Sequence, residues 1–354
     1  MSADILAFTP PWWLRTAFSQ TVAARWLPAR QPREMKPEEV HDVPVAPRSS
    51  VRVLVNRPRG TPRGTVVILH GLGGDSFSPL VVRVAVEAWR RDWLVARMNY
   101  RGCGGTEHLS ATLYNAGMSG DLSAVIHSPV LAEVRGPRTA IGLSLGGNIL
   151  LKYLGEAPPL RPGEEHLARF SLEGDGPGRA GRCLPHLGTA TALRAAVAVC
   201  PAAELSPMIH CLERPRNLPY QVALTHAVVS AARRRFRLSH GGPRPSLLTT
   251  PTLRRFDDRY TAPDAGYSSA EAYYSGASAA RLIHRIEIPT LILCSKDDPI
   301  VPARTLAPLG GPHPSIRLVM TRRGGHCGWI GRVGGRLASW LPGFALDYLE
   351  ENAC

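Results

Sequence analysis

Nearly continuous runs of apolar residues recur along the chain at 65–69, 93–98, 139–141, 195–199, 290–293 and 316–320. Runs of this length, rich in β-branched members, predict strands buried on both faces. Between them the apolar positions return at helical spacing, which predicts helices over 79–90, 119–134, 149–155 and 344–351. Strands that need cover above and below, alternating with helices able to supply it, imply an α/β fold. Its centre is a mostly parallel sheet with helices on both faces.

The alternation does not fill the chain. Residues 1–45 precede it and read as an N-terminal arm, leaving 46–352 as one domain with two interruptions. The first, at about 156–192, opens EAPPLRPGEEHLARFSLEGDGPGRAGRC and reads as a surface insertion rich in Gly, Pro and charge. The second, at about 203–284, is a mostly helical excursion between two core strands. An excursion there is placed to lie over the strand ends as a cap that restricts access. In the arm, Trp12 and Trp13 suit either a bilayer interface or the packing of the arm onto the core. Pro10 and Pro11 interrupt the apolar stretch near the N-terminus, and no basic region precedes it. No apolar run reaches the roughly 18 residues of a spanning helix, so the expected location is cytoplasmic.

Residues 138–148 read RTAIGLSLGGN, in which Gly142-Leu143-Ser144-Leu145-Gly146 is a GxSxG sequence between a predicted strand and a predicted helix. A strand that reverses into a helix within three residues crowds the backbone around the serine. Gly142, Gly146 and Gly147 supply the room, and the hydroxyl of Ser144 is held exposed at the mouth of the sheet. The helix that follows aims unpaired N–H groups at any oxyanion formed there. A serine alone is a poor nucleophile and needs a base, an orienting acid and an oxyanion site.

Candidates for all three follow strands. Lys296-Asp297-Asp298-Pro299-Ile300-Val301-Pro302 comes after the run ending at Leu293, where a loop at the C-terminal edge of the sheet presents a carboxylate. The spacing to Val301 and Pro302 selects Asp298, with Asp297 as an ordinary turn residue or a support behind it. The plainer reading makes both aspartates turn formers ahead of Pro299. Gly324-Gly325-His326-Cys327-Gly328 follows the next strand, so His326 sits on a glycine-flanked loop able to carry an imidazole to the serine. The chain order Ser, Asp, His is that of α/β-hydrolase sites. In the loop His70-Gly71-Leu72-Gly73-Gly74, the backbone N–H of Leu72 is a candidate oxyanion donor beside that of Leu145. Cys327 is given no role.

Other chemistries fit less well. Arg101-Gly102-Cys103-Gly104-Gly105 with Asp121 farther on suggests a dinucleotide loop, but the third glycine is missing and Asp121 falls inside a helical run. No HExxH motif or clustered Cys/His spacing argues for a metal. The seven cysteines are odd in number and lack CxxC spacing, so they read as reduced packing residues. A net charge of +14 favours anionic partners such as a membrane surface. Its one dense cluster, Arg233 to Arg237, carries no nucleic-acid-binding pattern and reads as a solvated helix face.

With these pieces placed, the chain resembles the YheT-type family of α/β-hydrolases over nearly its full length. The likeness lies in FTPPWWLRTAFSQT, HGLGGDSFSP, MNYRGCGGTE, GLSLGGNILLKYL, FDDRYTAPDAGYSSAEAYYSGAS, IPTLILCSKDDPIVP and GGHCGW. The resemblance implies an α/β-hydrolase fold and a serine hydrolase acting on carboxylic esters, with acyl glycerols or other lipid esters as substrates. It implies Ser144, Asp298 and His326 as the reacting set, and no cofactor. Thr16 and Phe18 stand where the family's arm usually carries Asn and His, and the insertion at 156–192 is longer than usual. Alongside this reading stand a catalytically silent lipid-binding or scaffold protein of the same fold, and a thioesterase or acyltransferase on the same scaffold.

Overall fold

The computed structural model describes residues 4–6, 8–35, 38–156, 192–238, 245–306 and 313–353. Apart from its two ends, the insertion expected at about 156–192 lies outside them. Among the described residues nine strands form one sheet: β1 Asp4–Leu6, β2 Glu39–Ala46, β3 Ser49–Asn56, β4 Thr65–Leu69, β5 Leu94–Met98, β6 Arg138–Leu143, β7 Leu193–Val199, β8 Thr290–Ser295 and β9 Ile316–Thr321. Their order is β1-β9-β8-β7-β6-β4-β5-β3-β2. Pairing is parallel from β1 through β5, and antiparallel where β3 meets β5 and β2. Every residue of β4, β5 and β8 is buried, as continuous apolar strands between two helical layers must be.

Two apolar clusters lie on opposite faces of this sheet. One joins the helices Pro79–Arg90 and Leu341–Ala353 around Trp93 and Trp329. The other joins the helices Ser119–Ile126 and Leu145–Glu156 to the excursion between β7 and β8. That excursion is mostly helical where described, with Leu205–Leu212, Leu218–Leu238, Ala270–Ala277 and a π-helical turn at Asp257–Thr261. Among the described residues no helix is long and apolar enough to cross a membrane.

Three sequence expectations change, and one element is new. The stretch read as an arm does not stand apart from the domain, because β1 extends the sheet beyond β9 and β2 begins at Glu39 on the opposite edge. The single helix expected over 119–134 divides into Ser119–Ile126 and Pro129–Ala132, since Pro129 has no N–H to continue the ladder and instead opens a new turn. Between the His326 loop and the last helix lies an unforeseen hairpin, β10 Ile330–Val333 and β11 Arg336–Ser339, turned by Gly334 and Gly335 at positive φ. Trp12 and Trp13 do not pack the arm onto the core; they are exposed, and Leu14 is buried in their place.

The residues that suggested a dinucleotide loop form a buried ion pair. Arg101 Nε and Nη2 donate to the two oxygens of Asp121 at 2.8 and 2.5 Å, with both side chains shielded from solvent. Breaking such a pair from one side leaves an uncompensated charge inside the protein. Asp121→Ala is therefore expected to lower stability by about 3–5 kcal/mol, read as the shift in urea unfolding. The double variant Arg101→Met with Asp121→Leu loses less, because no orphaned charge remains.

Candidate active site

β6 passes into the helix Leu145–Glu156 through one residue, Ser144, whose φ is +54°. For a residue with a Cβ this left-handed conformation is costly, by roughly 1–2 kcal/mol, and must be held by its surroundings. The Ser144 N–H donates to the Val199 carbonyl at 2.8 Å, and its own carbonyl accepts from Gly147 N–H at 2.9 Å. A Cβ on Gly142 would lie 2.3 Å from the Gly146 carbonyl oxygen, and one on Gly146 would lie 2.7 Å from that of Leu69. The glycines are thus required by contact as well as by the turn.

His326 reaches this serine from the loop after β9. Its Nε2 lies 2.9 Å from Ser144 Oγ, and its Nδ1 lies 2.8 Å from Asp298 Oδ2. An ionised carboxylate only accepts, so Nδ1 carries the proton and Nε2 of the neutral ring is left to accept from the serine hydroxyl. The other oxygen, Asp298 Oδ1, accepts from Ile300 N–H at 2.8 Å and Val301 N–H at 2.9 Å. This pins a carboxylate whose side chain is only 1% exposed. Asp297 plays a different part: its Oδ1 accepts from Gly325 N–H at 2.9 Å and so braces the loop that carries His326. Successive aspartates therefore fix the imidazole and its backbone separately.

The sequence reading missed the contribution of the N-terminal helix Ala17–Trp26. Thr21 Oγ1 accepts the His326 N–H at 2.9 Å. The neighbouring Gln20, fully buried, donates to the Leu14 and Ile330 carbonyls at 2.9 and 3.0 Å and accepts from Ile330 N–H at 2.8 Å. A polar pair in an arm helix gave no spacing signal for this tie. Thr16 caps the same helix by accepting from Ser19 N–H, and Phe18 lies on the outside with its ring 6.0 Å from that of Tyr220.

Burial opposes charge on the His326 ring, but the Asp298 carboxylate outweighs it through both its field and its hydrogen bond. The imidazole stands above its ordinary value. Cys200 and Cys327, expected only to fill space, have their sulfurs beside this ring, and the donor atoms of the three residues lie within 4.8 Å of one another. Burial holds the Cys200 thiol well above its ordinary range, and both ring nitrogens are already engaged. The cluster backs the imidazole rather than presenting three free ligands.

On the other side of the serine, the loop after β4 passes close enough that a Cβ on Gly71 would lie 3.4 Å from Ser144 Cβ. His70 beneath it is completely buried, and burial pushes its imidazole down to about 4. The neutral ring donates from Nδ1 to the Gly71 carbonyl at 2.8 Å and lies tilted against Tyr100 with ring centres 4.1 Å apart, and the Tyr100 hydroxyl donates to the His70 carbonyl at 2.9 Å. The Gly73 N–H donates to the Tyr114 hydroxyl at 3.0 Å, fixing the far end of the loop. Leu145, the residue after Ser144, and Leu72 both line a cavity that is partly open to solvent. Most of its wall is apolar and comes from the helices of the 203–284 excursion.

The sequence profile of the alpha/beta hydrolase fold matches residues 64–331. The chain belongs to the α/β-hydrolase family. This α/β-hydrolase is 29% identical over 297 residues to the protein named "Putative esterase YheT" of Escherichia coli, covering 82% of the chain and 78% of that protein. It is 26% identical over 282 residues to phospholipase ABHD3 of Mus musculus, covering 79% of the chain but only 61% of the relative. Among solved structures, the Pyrococcus furiosus esterase Pf2001 superposes with a TM-score of 0.51 at 13% identity, covering 92% of this chain and all of that one, which speaks to the fold. The hydrolase resembles relatives of esterase and lipase type, and the likeness to YheT read from its motifs is met by the match over most of the chain.

Replacing Thr21 with Val removes the acceptor of the His326 N–H while keeping side-chain volume. An orphaned N–H costs about 1–3 kcal/mol, so labelling of Ser144 by a fluorophosphonate is expected to slow by about tenfold or more. Thr21→Ser, which keeps the acceptor, is expected to label at close to the parent rate.

Proposed function

We propose that this hydrolase is a serine esterase that cleaves carboxylic esters, including lipid esters such as acyl glycerols, through an acyl-enzyme. The observation that carries the reading is the unbroken hydrogen-bonded line from Ser144 through His326 to an Asp298 carboxylate pinned by two backbone N–H groups. In the first step Ser144 Oγ attacks the ester carbonyl carbon as His326 Nε2 takes its proton. The backbone N–H groups of Leu72 and Leu145 are the donors proposed for the oxyanion, and Asp298 stabilises the imidazolium without itself taking the proton. His326 then protonates the departing alcohol, and water repeats the sequence on the acyl-enzyme to release the acid.

The apolar cavity beside Leu72 and Leu145 suits the acyl chain. Each buried methylene contributes about 0.8 kcal/mol, so kcat/KM should rise severalfold per methylene until the chain fills the cavity. The exposed Trp12 and Trp26, each 78% accessible, together with the net charge of +14, support peripheral contact with an anionic membrane. No cofactor enters any step.

A panel of p-nitrophenyl and monoacylglycerol esters of graded chain length, run beside Ser144→Ala, tests the assignment. Hydrolysis is expected to fall by at least about 10⁴-fold in the variant, with loss of fluorophosphonate labelling. Flat rates insensitive to the mutation would remove the esterase reading. The pH profile supplies an independent check, since only neutral imidazole accepts the serine proton and kcat/KM must rise with pH through the pKa of His326. Because Asp298 holds that pKa above the ordinary value, the midpoint of the acid limb should lie above about 6.5 and move downward in Asp298→Asn.

A further inference from the structure

The cavity is not uniformly apolar. Asp257 lines it, at the first position of the π-helical turn Asp257–Thr261, with Thr261 and Tyr274 also in the wall. The turn is real in its hydrogen bonding, since the Ala262 N–H donates to the Asp257 carbonyl five residues back. Such wide turns interrupt α-helical geometry at some expense and recur where a side chain must be re-aimed. The Tyr274 hydroxyl donates to Asp257 Oδ2 at 2.9 Å, and Thr261 also bonds the carboxylate. An ionised carboxylate has about four acceptor positions, so these two donors leave it capacity toward the cavity.

Asp257 is half-buried, and the solvation its carboxylate loses beside apolar side chains raises it to about 6, against the pull of Thr261, Tyr274 and Arg254. Arg254 does not sit in the cavity wall; its guanidinium lies 5.7 Å from the centre of the Tyr274 ring and compensates the charge from behind. The other charged groups lining the cavity are Arg101, paired with Asp121, and Arg235. Two guanidiniums in the same wall disfavour a cationic ligand. What remains is a neutral hydrogen-bond donor, offered by a ligand whose body is otherwise apolar.

Resting on the esterase reading above, we infer that Asp257, positioned by Tyr274 and Thr261, binds a hydroxyl group carried by the substrate ester away from its scissile carbonyl. The substrate class is then hydroxylated esters with an apolar body. A hydroxyl can enter from the acyl chain or from the alcohol portion, and both present the same donor to the carboxylate. A site built to hydrogen-bond a substrate hydroxyl discriminates against the analogue lacking it, because a buried polar group is then left unpaired.

The test compares two matched pairs with the full chain: p-nitrophenyl decanoate against its ω-hydroxy counterpart, and propyl decanoate against decanoylglycerol. In at least one pair the hydroxylated ester is expected to show a kcat/KM about tenfold or more above its partner, and that pair identifies the source of the hydroxyl. The ratio should collapse toward one in Asp257→Ala and fall in Tyr274→Phe. Asp257→Asn, which retains an acceptor oxygen and the residue's shape, should preserve part of it and covers the case in which the alanine variant does not fold. A ratio near one for both pairs in the parent protein overturns the inference. So does a ratio unchanged in Asp257→Ala while both rates fall together, the mark of a structural role. Absence of hydrolysis of all four esters above the Ser144→Ala level overturns the esterase reading itself, and the inference with it.

Discussion

Gly146 meets the carbonyl oxygens of Leu69 and His70 at a distance that leaves no space for a methyl group. This contact locks the first turn of the helix Leu145–Glu156 onto the end of β4, and the rest of the site follows from it. β4 and β6 are adjacent parallel strands in the middle of the sheet, so their C-terminal ends open side by side. Ser144 then emerges next to the loop that begins at His70, so close that a Cβ on Gly71 would touch it. The proposed nucleophile and oxyanion donors are thus placed by backbone packing alone, before any side-chain chemistry is considered. The positive φ of Ser144 is the strain that this packing has to hold, and the Val199 carbonyl on the next strand helps to hold it.

The imidazole is secured in a different way. Its loop has glycines at positive φ on its leading side and would not hold a fixed position by itself. Four separate ties give it one: Asp298 on the ring, Asp297 on the Gly325 N–H, Ser295 Oγ on the Gly325 carbonyl at 2.7 Å, and Thr21 on the His326 N–H. Three of these come from one stretch at the end of β8, and the fourth comes from the opposite end of the chain. The N-terminal helix is therefore a wall of the site as much as β8 is. Its own attachment through Gln20 to Ile330 makes the hairpin after the histidine part of the same brace.

The central strands, the serine turn and the two loops were legible because each depends on local signals. Continuous apolar runs mark strands covered on both faces, and GLSLGG marks a turn that only glycine can pack. The spacing from Asp298 to Val301 was readable too, and it corresponds to the Val301 N–H that pins Oδ1 of the carboxylate facing His326. What the sequence concealed depends on pairing at a distance. β2, the edge strand, has exposed residues at alternate positions and contains Pro44, while β3 beside it alternates buried and half-buried positions only over its first half, so neither carries a continuous apolar run. β1 is three residues long and exists only because β9 offers it an edge. Thr21 and Asp121 are ordinary polar residues until the fold brings His326 and Arg101 to them.

The same division separates what the sheet supplies from what the excursion supplies. Ser144, His326 and Asp298 all stand on loops at the C-terminal edge of the sheet, held by strands that neighbour one another from β6 through β9. The cavity that Leu72 and Leu145 line is walled largely by residues between β7 and β8, which contribute nothing to the hydrogen-bonded line. Reaction geometry and cavity shape can then vary independently, since a change in the excursion leaves the strand ends where they were. The π-helical turn fits this division. It disturbs the regularity of a short helix where the Asp257 carboxylate joins the cavity wall, while the helices on either side keep their apolar faces on the common core. A carboxylate placed there has no effect on the register of the sheet, so its consequences fall on which molecules fit beside the serine, not on how the serine is held.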